Sequence, residues 1–322
     1  MNKSILLATI AVLLVAGCTA PSGVQWPFQQ ITTTAVGGAG MVISDFSVDP
    51  TSVYSNSNAR IMMTVSDKGG AAVPDANSLV YLTGSAISLS DTTGTYWHDT
   101  TGTEAIYKHF GKTMNPEDLV RGTPADEKTI TWSLTAPNVT KGTTRPDIFI
   151  GRVYYDYQTT VTGTVWVYSQ SESDASRAAG RTLNKATLSS TSGPVALTVK
   201  TSPDPIVLAT GENSFTITIK VSNVGSGALY KVGAVTYTSG SENIALTTDE
   251  LNKVSIAINS PGMTVGSGCT GEQELVAGKD ITLSCDVTIA SPPTTFQGYP
   301  ITITASYGYN VERTATVTVS GR

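Results

Sequence analysis

From Met41 onward, apolar and polar positions alternate with period two. Ile61-Met62-Met63-Thr64-Val65, Thr129-Ile130-Thr131-Trp132-Ser133-Leu134 and Thr164-Val165-Trp166-Val167-Tyr168 each read as a strand bounded by Gly, Pro or Asn. Phe215 to Val221, Ile281 to Cys285, Ile301 to Thr304 and Thr314 to Val319 repeat the pattern, with Thr on one face and Ile or Val on the other. That is what a half-buried antiparallel strand needs. Helical periodicity is weak throughout. Its nearest approach, Ser173 to Asn184, has almost no apolar stripe and precedes the Ser/Thr-rich run Thr187 to Gly193, so residues 170–192 read as an inter-domain linker with one or two helical turns at most.

The two halves follow one plan. Asp49-Pro50, Val53, Ile61 to Val65, Ser66 and Gly69 have partners in Asp204-Pro205, Leu208, Phe215 to Val221, Ser222 and Gly225, at an offset of about 155. Tyr155-Asp156-Tyr157 and the strand after it correspond to Tyr307-Gly308-Tyr309 and its strand, at an offset of 152. Each copy carries roughly seven strand candidates joined by turn-rich segments, the pattern of an immunoglobulin-like sandwich. The expected fold is therefore all-β, with two tandem antiparallel β-sandwiches at residues 41–169 and 193–322.

The start of the chain has another character. Lys3 and the apolar run Ile5 to Ala16 form a secretion signal over residues 1–17, too short to span a bilayer. Val15-Ala16-Gly17-Cys18 looks like a lipobox, in which the thiol of Cys18 takes a diacylglyceryl group and the chain is cut just before it. Membrane lipid is then the expected partner of Cys18, and residues 18–40, rich in Gly, Thr and Ser, read as a tether. With Cys18 acylated, Cys269 and Cys285 are the remaining cysteines, and an oxidising compartment would join them.

Composition narrows the function. Lys and Arg total 20 against 25 Asp and Glu, a net charge of −5, and no basic cluster is present to neutralise phosphates. Nucleic acid is excluded as a partner on that ground. The chain holds 49 Thr and 33 Ser but only 14% charged residues, so its surface is hydroxylated more than charged. No Gly-x-Ser-x-Gly elbow, His-Glu-x-x-His or phosphate loop occurs, and no catalytic residue, metal site or cofactor is nominated. Asp91, Asp99 and Glu104 lack the Asp-x-Asp-x-Asp spacing of a calcium loop.

Two surface features remain. Residues 87–127 form an excursion that the second copy lacks in this form. Tyr96, Trp97, His98, Tyr107, His109 and Phe110 bring aromatic and polar groups together there, the parts of a sugar- or peptide-binding loop. The competing reading has Trp97, Tyr107 and Phe110 capping an open end of the sandwich with both histidines solvated. Asn138-Val139-Thr140 has the spacing of a glycosylation acceptor at Asn138.

The run Ser222-Asn223-Val224-Gly225, closing an alternating strand, resembles the N-x-G signature of CARDB-like modules and related repeats of archaeal S-layer-associated proteins. The first copy has Ser66-Asp67-Lys68-Gly69 at that position, with Asp for Asn. The resemblance implies a microbial cell-surface lipoprotein of immunoglobulin-like domains in the cell envelope, acting as a non-catalytic scaffold or adhesion module. Envelope polysaccharide or a surface protein would be its partner. A solute- or glycan-binding lipoprotein serving a transporter or surface enzyme is the alternative.

Overall fold

The computed structural model describes residues 38–84 and 86–322. The first half contains β1 (Met41–Asp49), β2 (Ser52–Tyr54), β3 (Asn58–Asp67), β4 (Ser78–Gly84), β5 (Tyr107–Lys108), β6 (Glu127–Thr135) and β7 (Thr144–Ser169). Helix α1 (Gln170–Ala178) and β8 (Thr187–Ser190) follow. The second half contains β9 (Val195–Ser202), β10 (Ile206–Leu208), β11 (Ser214–Asn223), β12 (Ala228–Tyr230), β13 (Lys253–Asn259), β14 (Met263–Val265), β15 (Gly271–Glu274), β16 (Asp280–Ile289) and β17 (Phe296–Ser320).

The period-two segments became strands with the expected faces inward. Ile61, Met63 and Val65 of β3 are fully buried between more exposed neighbours, as are Ile217, Ile219 and Val221 of β11. β1, β3 and β6 pair antiparallel into a small sheet, and β14, β16, β11 and β9 into a second one. Both halves are antiparallel sandwiches, with two short parallel additions, β2 on β17 and β10 on β7.

The two sandwiches share their third sheet. Its order is β15-β13-β17-β7-β4-β5, with β2, β8, β10 and β12 added along the edges of the long strands. β7 has 26 residues and β17 has 25, and they pair antiparallel from Phe296 opposite Tyr168 to Ser320 opposite Thr144. Each long strand therefore begins in its own half and ends in the other. Val317 and Val319 of β17 lie buried where β17 meets β2, and Val165 and Val167 of β7 lie buried where β7 approaches β10. One continuous hydrophobic core joins both sandwiches.

The register reveals a two-fold relation. An offset of 152 carries Tyr155 onto Tyr307 and Tyr157 onto Tyr309, whereas the pairing sets Tyr155 opposite Tyr309 and Tyr157 opposite Tyr307. The exchange axis passes through the pair Asp156 and Gly308. Four tyrosines surround it, with neighbouring ring centroids 5.9–6.4 Å apart. Their hydroxyls hold equivalent backbone groups in the two halves. Tyr155 Oη accepts from Met41 N at 3.1 Å and Tyr307 Oη from Val195 N at 3.3 Å, at the starts of β1 and β9. Tyr157 Oη accepts from Gly70 N and Ala71 N, and Tyr309 Oη from Gly227 N. Gly308 is required at the axis because a Cβ there would run into the ring of Tyr230.

The stretch read as a linker is more ordered than its composition suggested. Ser169 caps α1 by accepting from Glu172 N, the helix buries Ser173 and Ser176 instead of an apolar stripe, and β8 pairs with Val161–Thr164 of β7. Cys269 and Cys285 form a disulfide, and both are buried. Closing a loop with a sequence separation of 16 is worth about 3 kcal/mol on the chain-entropy model.

Candidate functional site

The excursion after β4 is built on a repeated five-residue knot. Asp91-Thr92-Thr93-Gly94-Thr95 and Asp99-Thr100-Thr101-Gly102-Thr103 are identical in sequence and fold alike. In the first, Asp91 Oδ1 accepts from Thr93 N and Thr93 Oγ1, and Oδ2 from Tyr96 N. In the second, Asp99 Oδ1 accepts from Thr101 N and Oγ1, and Oδ2 from Glu104 N. Gly94 and Gly102 take φ values of +72° and +71°, the left-handed region that glycine reaches freely. The hydroxyl of Thr93 leads a set of donors that holds the Asp91 carboxyl down to about 2, and Thr101 with its neighbours depresses Asp99 further. Both carboxylates spend their oxygens on the loop itself. Among the described residues no group of three His, Cys, Asp or Glu could hold a metal ion.

These knots send the six candidate ligand residues in different directions. Trp97 is driven inward. Its backbone binds Ala86 O and Ser88 N, its ring is fully buried edge-on against Phe149 at 5.2 Å, and its Nε1 donates to Asp147 Oδ2 at 2.8 Å. Asp147 is itself buried and takes the Arg145 guanidinium as its counter-charge. Phe110 is likewise in the core. Tyr96 stays 43% exposed, and His98 is half-buried with Nδ1 3.0 Å from Tyr96 O. Tyr107 stacks on Tyr81 with centroids 4.9 Å apart, and His109 Nε2 lies 3.4 Å from Glu242 Oε1 of the second half. Trp97 and Phe110 thus match the capping reading. The six do not form one surface.

Where the excursion meets the second half, an aromatic cluster forms from Leu79, Tyr154, Tyr230, Val235 and Tyr237, with Tyr81 and Tyr107 packed on it. Tyr237 donates to Asp156 Oδ1 at 2.9 Å, and the Tyr230 and Tyr237 hydroxyls are 2.8 Å apart. Burial raises the Asp156 carboxyl, and it pushes both phenols far above their ordinary range. Phenols held this firmly protonated are hydrogen-bonding struts with no base or nucleophile character at neutral pH. This network escaped sequence reading, because Tyr237 and Asp156 are 81 residues apart.

Asn138 is exposed in the loop after β6, its N–H bonded to Gly94 O. Cys18 lies outside the described residues, as do the signal segment and the lipobox. Leu119 and Val120 are 82% and 97% exposed, at the tip of a turn closed by Asp118 and Thr123.

Asp67, at the position where the second copy has Asn223, is a buried acid with half its oxygens satisfied. Oδ1 accepts from Gly69 N at 2.9 Å, and Oδ2 has no partner. Asn223 by contrast accepts from Tyr309 Oη and donates to Gly227 O and Gly278 O. Burial raises the Asp67 carboxyl from 3.8 to about 6; the Gly69 bond works against the rise and the charge of Asp126 adds to it. The folded state therefore holds a proton between pH 4 and 6 that the unfolded chain has released. The stability from this group is full below about pH 4 and lost as pH rises through 6, a difference on the order of 2–3 kcal/mol. Asp67→Asn is expected to raise stability at pH 7 and flatten the slope between pH 4 and 6. Urea melts across that range check it, and an unchanged slope would reject the assignment.

No family model matches the chain, so the CARDB-like resemblance gains no support from one, and no curated protein matches it. Among solved structures, the D0-D1 domain of intimin overlaps 88% of this chain and 96% of its own at 10% identity and a TM-score of 0.19. The adhesin InvE of Yersinia pseudotuberculosis overlaps 85% of this chain and 58% of its own at 11% identity and a TM-score of 0.17. Likenesses with TM-scores this low carry no argument, and the chain is described by its own geometry: an all-β protein of two immunoglobulin-like antiparallel sandwiches fused through one shared sheet.

Proposed function

We propose that the chain is a lipid-anchored, extracytoplasmic scaffold or adhesion module of the cell envelope, with no catalytic role. The shared sheet is the observation that carries this reading. Twenty-five consecutive paired positions join the sandwiches into one body, with the ring cluster at the axis locking both strand starts. Such a body suits holding and spacing. Its buried polar groups serve packing: the carboxylates of the excursion are consumed by their own loops, and the buried phenols stay protonated. The buried disulfide fits an oxidising compartment. The hydroxyl-rich surface suits contact with envelope polysaccharide or a surface protein.

In this reading Cys18 carries the anchor and the chain after it leads to the first sandwich. Two acyl chains give stable attachment where one holds only marginally. Cys18→Ser is expected to move the protein from the membrane fraction to the soluble one, or to leave the signal uncut, as read by fractionation and intact mass. Retention in the membrane at the parent's processed mass would overturn the anchor.

A further inference from the structure

The shared sheet has an outer face as well as a core face, and in the second half that outer face is uncharged. Val165 and Val167 of β7 and Ile301 and Ile303 of β17 are buried in the core. Side chains alternate along a strand, so Thr160, Thr162 and Trp166 stand on the opposite face, directly across from Thr304, Thr302 and Gly298. β8 and β13 widen this face, with Ser189 opposite Thr162 and Asn259 opposite Thr302. Ser189, Thr162 and Asn259 are exposed and Thr302 is half-buried. This row crosses four strands in about 14 Å, and the distance from the row of Thr160 to that of Trp166 is about 20 Å. Among the described residues, no charged side chain occupies these paired positions.

An aromatic pair bounds one end. Phe296 is 49% exposed and stacks on Tyr168, its cross-strand partner, with centroids 5.7 Å apart. Tyr168 is fixed in turn, buried with its hydroxyl accepting from Asn184 N. Trp166 is half-buried, its ring 6.1 Å from that of Phe296, and its indole reaches onto Gly298, where a Cβ would come within 3.2 Å of the ring. The first half carries a different surface at the same place. The offset of 152 puts Thr318 for Trp166, Thr144 for Phe296 and Ile150 for Thr302, and turns Thr160 with Thr304 into the ion pair of Glu312 with Arg152 at 2.9 Å.

We propose that this face binds a neutral polysaccharide, laid along the long strands with a sugar ring on Phe296 and Trp166, a partner class that rests on the envelope role already proposed. Charge selects the occupant. An anionic polymer needs Lys or Arg to neutralise it, and none stands here. A protein partner draws its affinity from a buried apolar centre, whereas the rings here lie at one end and the rest of the face is mostly hydroxyl and amide. A pyranose packs its C–H face on an aromatic ring, while its hydroxyls exchange hydrogen bonds with Thr, Ser and Asn, which both donate and accept.

Affinity electrophoresis of the purified protein through gels holding mannan, dextran, soluble β-glucan or anionic alginate tests the assignment. At least one neutral polymer should retard the protein more than alginate does. Trp166→Ala and Phe296→Ala should each weaken that retardation at least tenfold in Kd. Thr162→Glu, at an exposed position where the fold is not at stake, should weaken it comparably, and Ile148→Ala on the outer face of the first half should not. Migration unaffected by every neutral polymer, stronger retardation by alginate, or retardation that Thr162→Glu and Phe296→Ala leave unchanged would overturn the proposal. Binding to an envelope fraction that Thr162→Glu abolishes, but that protease treatment of the fraction also abolishes, would overturn it in favour of a protein partner. The envelope role is read separately by fractionation of Cys18→Ser, so this face can fail while that role stands.

Discussion

Separating the chain between Gly180 and Arg181 is expected to leave neither half able to fold alone. The fragment 38–180 would keep β1 to β7 but lose Val317 and Val319, which are buried where β17 meets β2. The fragment 181–322 would lose Val161, Val165 and Val167, all fully buried on the part of β7 that lies in the second sandwich. Each would expose a long unpaired edge where β7 or β17 had lain, a surface that promotes association. Circular dichroism and urea titration should show no cooperative transition for either fragment. An equimolar mixture should recover a 1:1 complex that melts as one unit. A fragment 38–180 that unfolds cooperatively with the stability of its share of the intact protein would refute the shared core.

Trp97→Ala should be among the most damaging single substitutions, at about 3–5 kcal/mol of lost stability. The change opens a cavity beside Phe149 and removes the Nε1 donor from Asp147, which remains buried with Arg145 as its partner. Trp97→Phe keeps most of the ring volume and loses only the donor, so a cost of about 1–3 kcal/mol is expected. Tyr96→Ala, one residue away and 43% exposed, should stay within about 0.5 kcal/mol. Urea denaturation of the three variants separates the two roles of this loop. A Trp97→Ala protein as stable as its parent would return Trp97 to the surface-binding reading.

The strands were legible wherever one face is dry and the other wet, as in Ile61 to Val65 and Phe215 to Val221, because burial imposes the period directly. The duplication was legible too, since Asp49-Pro50 and Asp204-Pro205 both follow the first strand of their half, and Tyr155 and Tyr307 do equivalent work. An offset between two copies does not say whether their last strands pair with each other. That fact lies in the register of Asp156 with Gly308, a contact with no local signal. β8 was hidden for a simpler reason: Thr187-Leu188-Ser189-Ser190 carries one apolar residue and lies over an edge, so no alternation marks it. In the excursion, the aromatic residues drew notice while the repeated Asp-Thr-Thr-Gly-Thr knots did not. Those knots help set the path of Trp97 through a loop whose composition resembles a binding surface.

The exchange of long strands also bears on the order in which the molecule comes into being. β2 pairs with Thr318–Ser320 at the far end of β17, so the first sandwich cannot close until β17 has been made. Contacts between residues so far apart in sequence form slowly, since a long loop must close before any pairing energy is gained. Until then the polypeptide has no complete sandwich in its first half, and its long edge strands wait for a partner. The two halves therefore assemble together, once β17 is there to pair with β7 and β2.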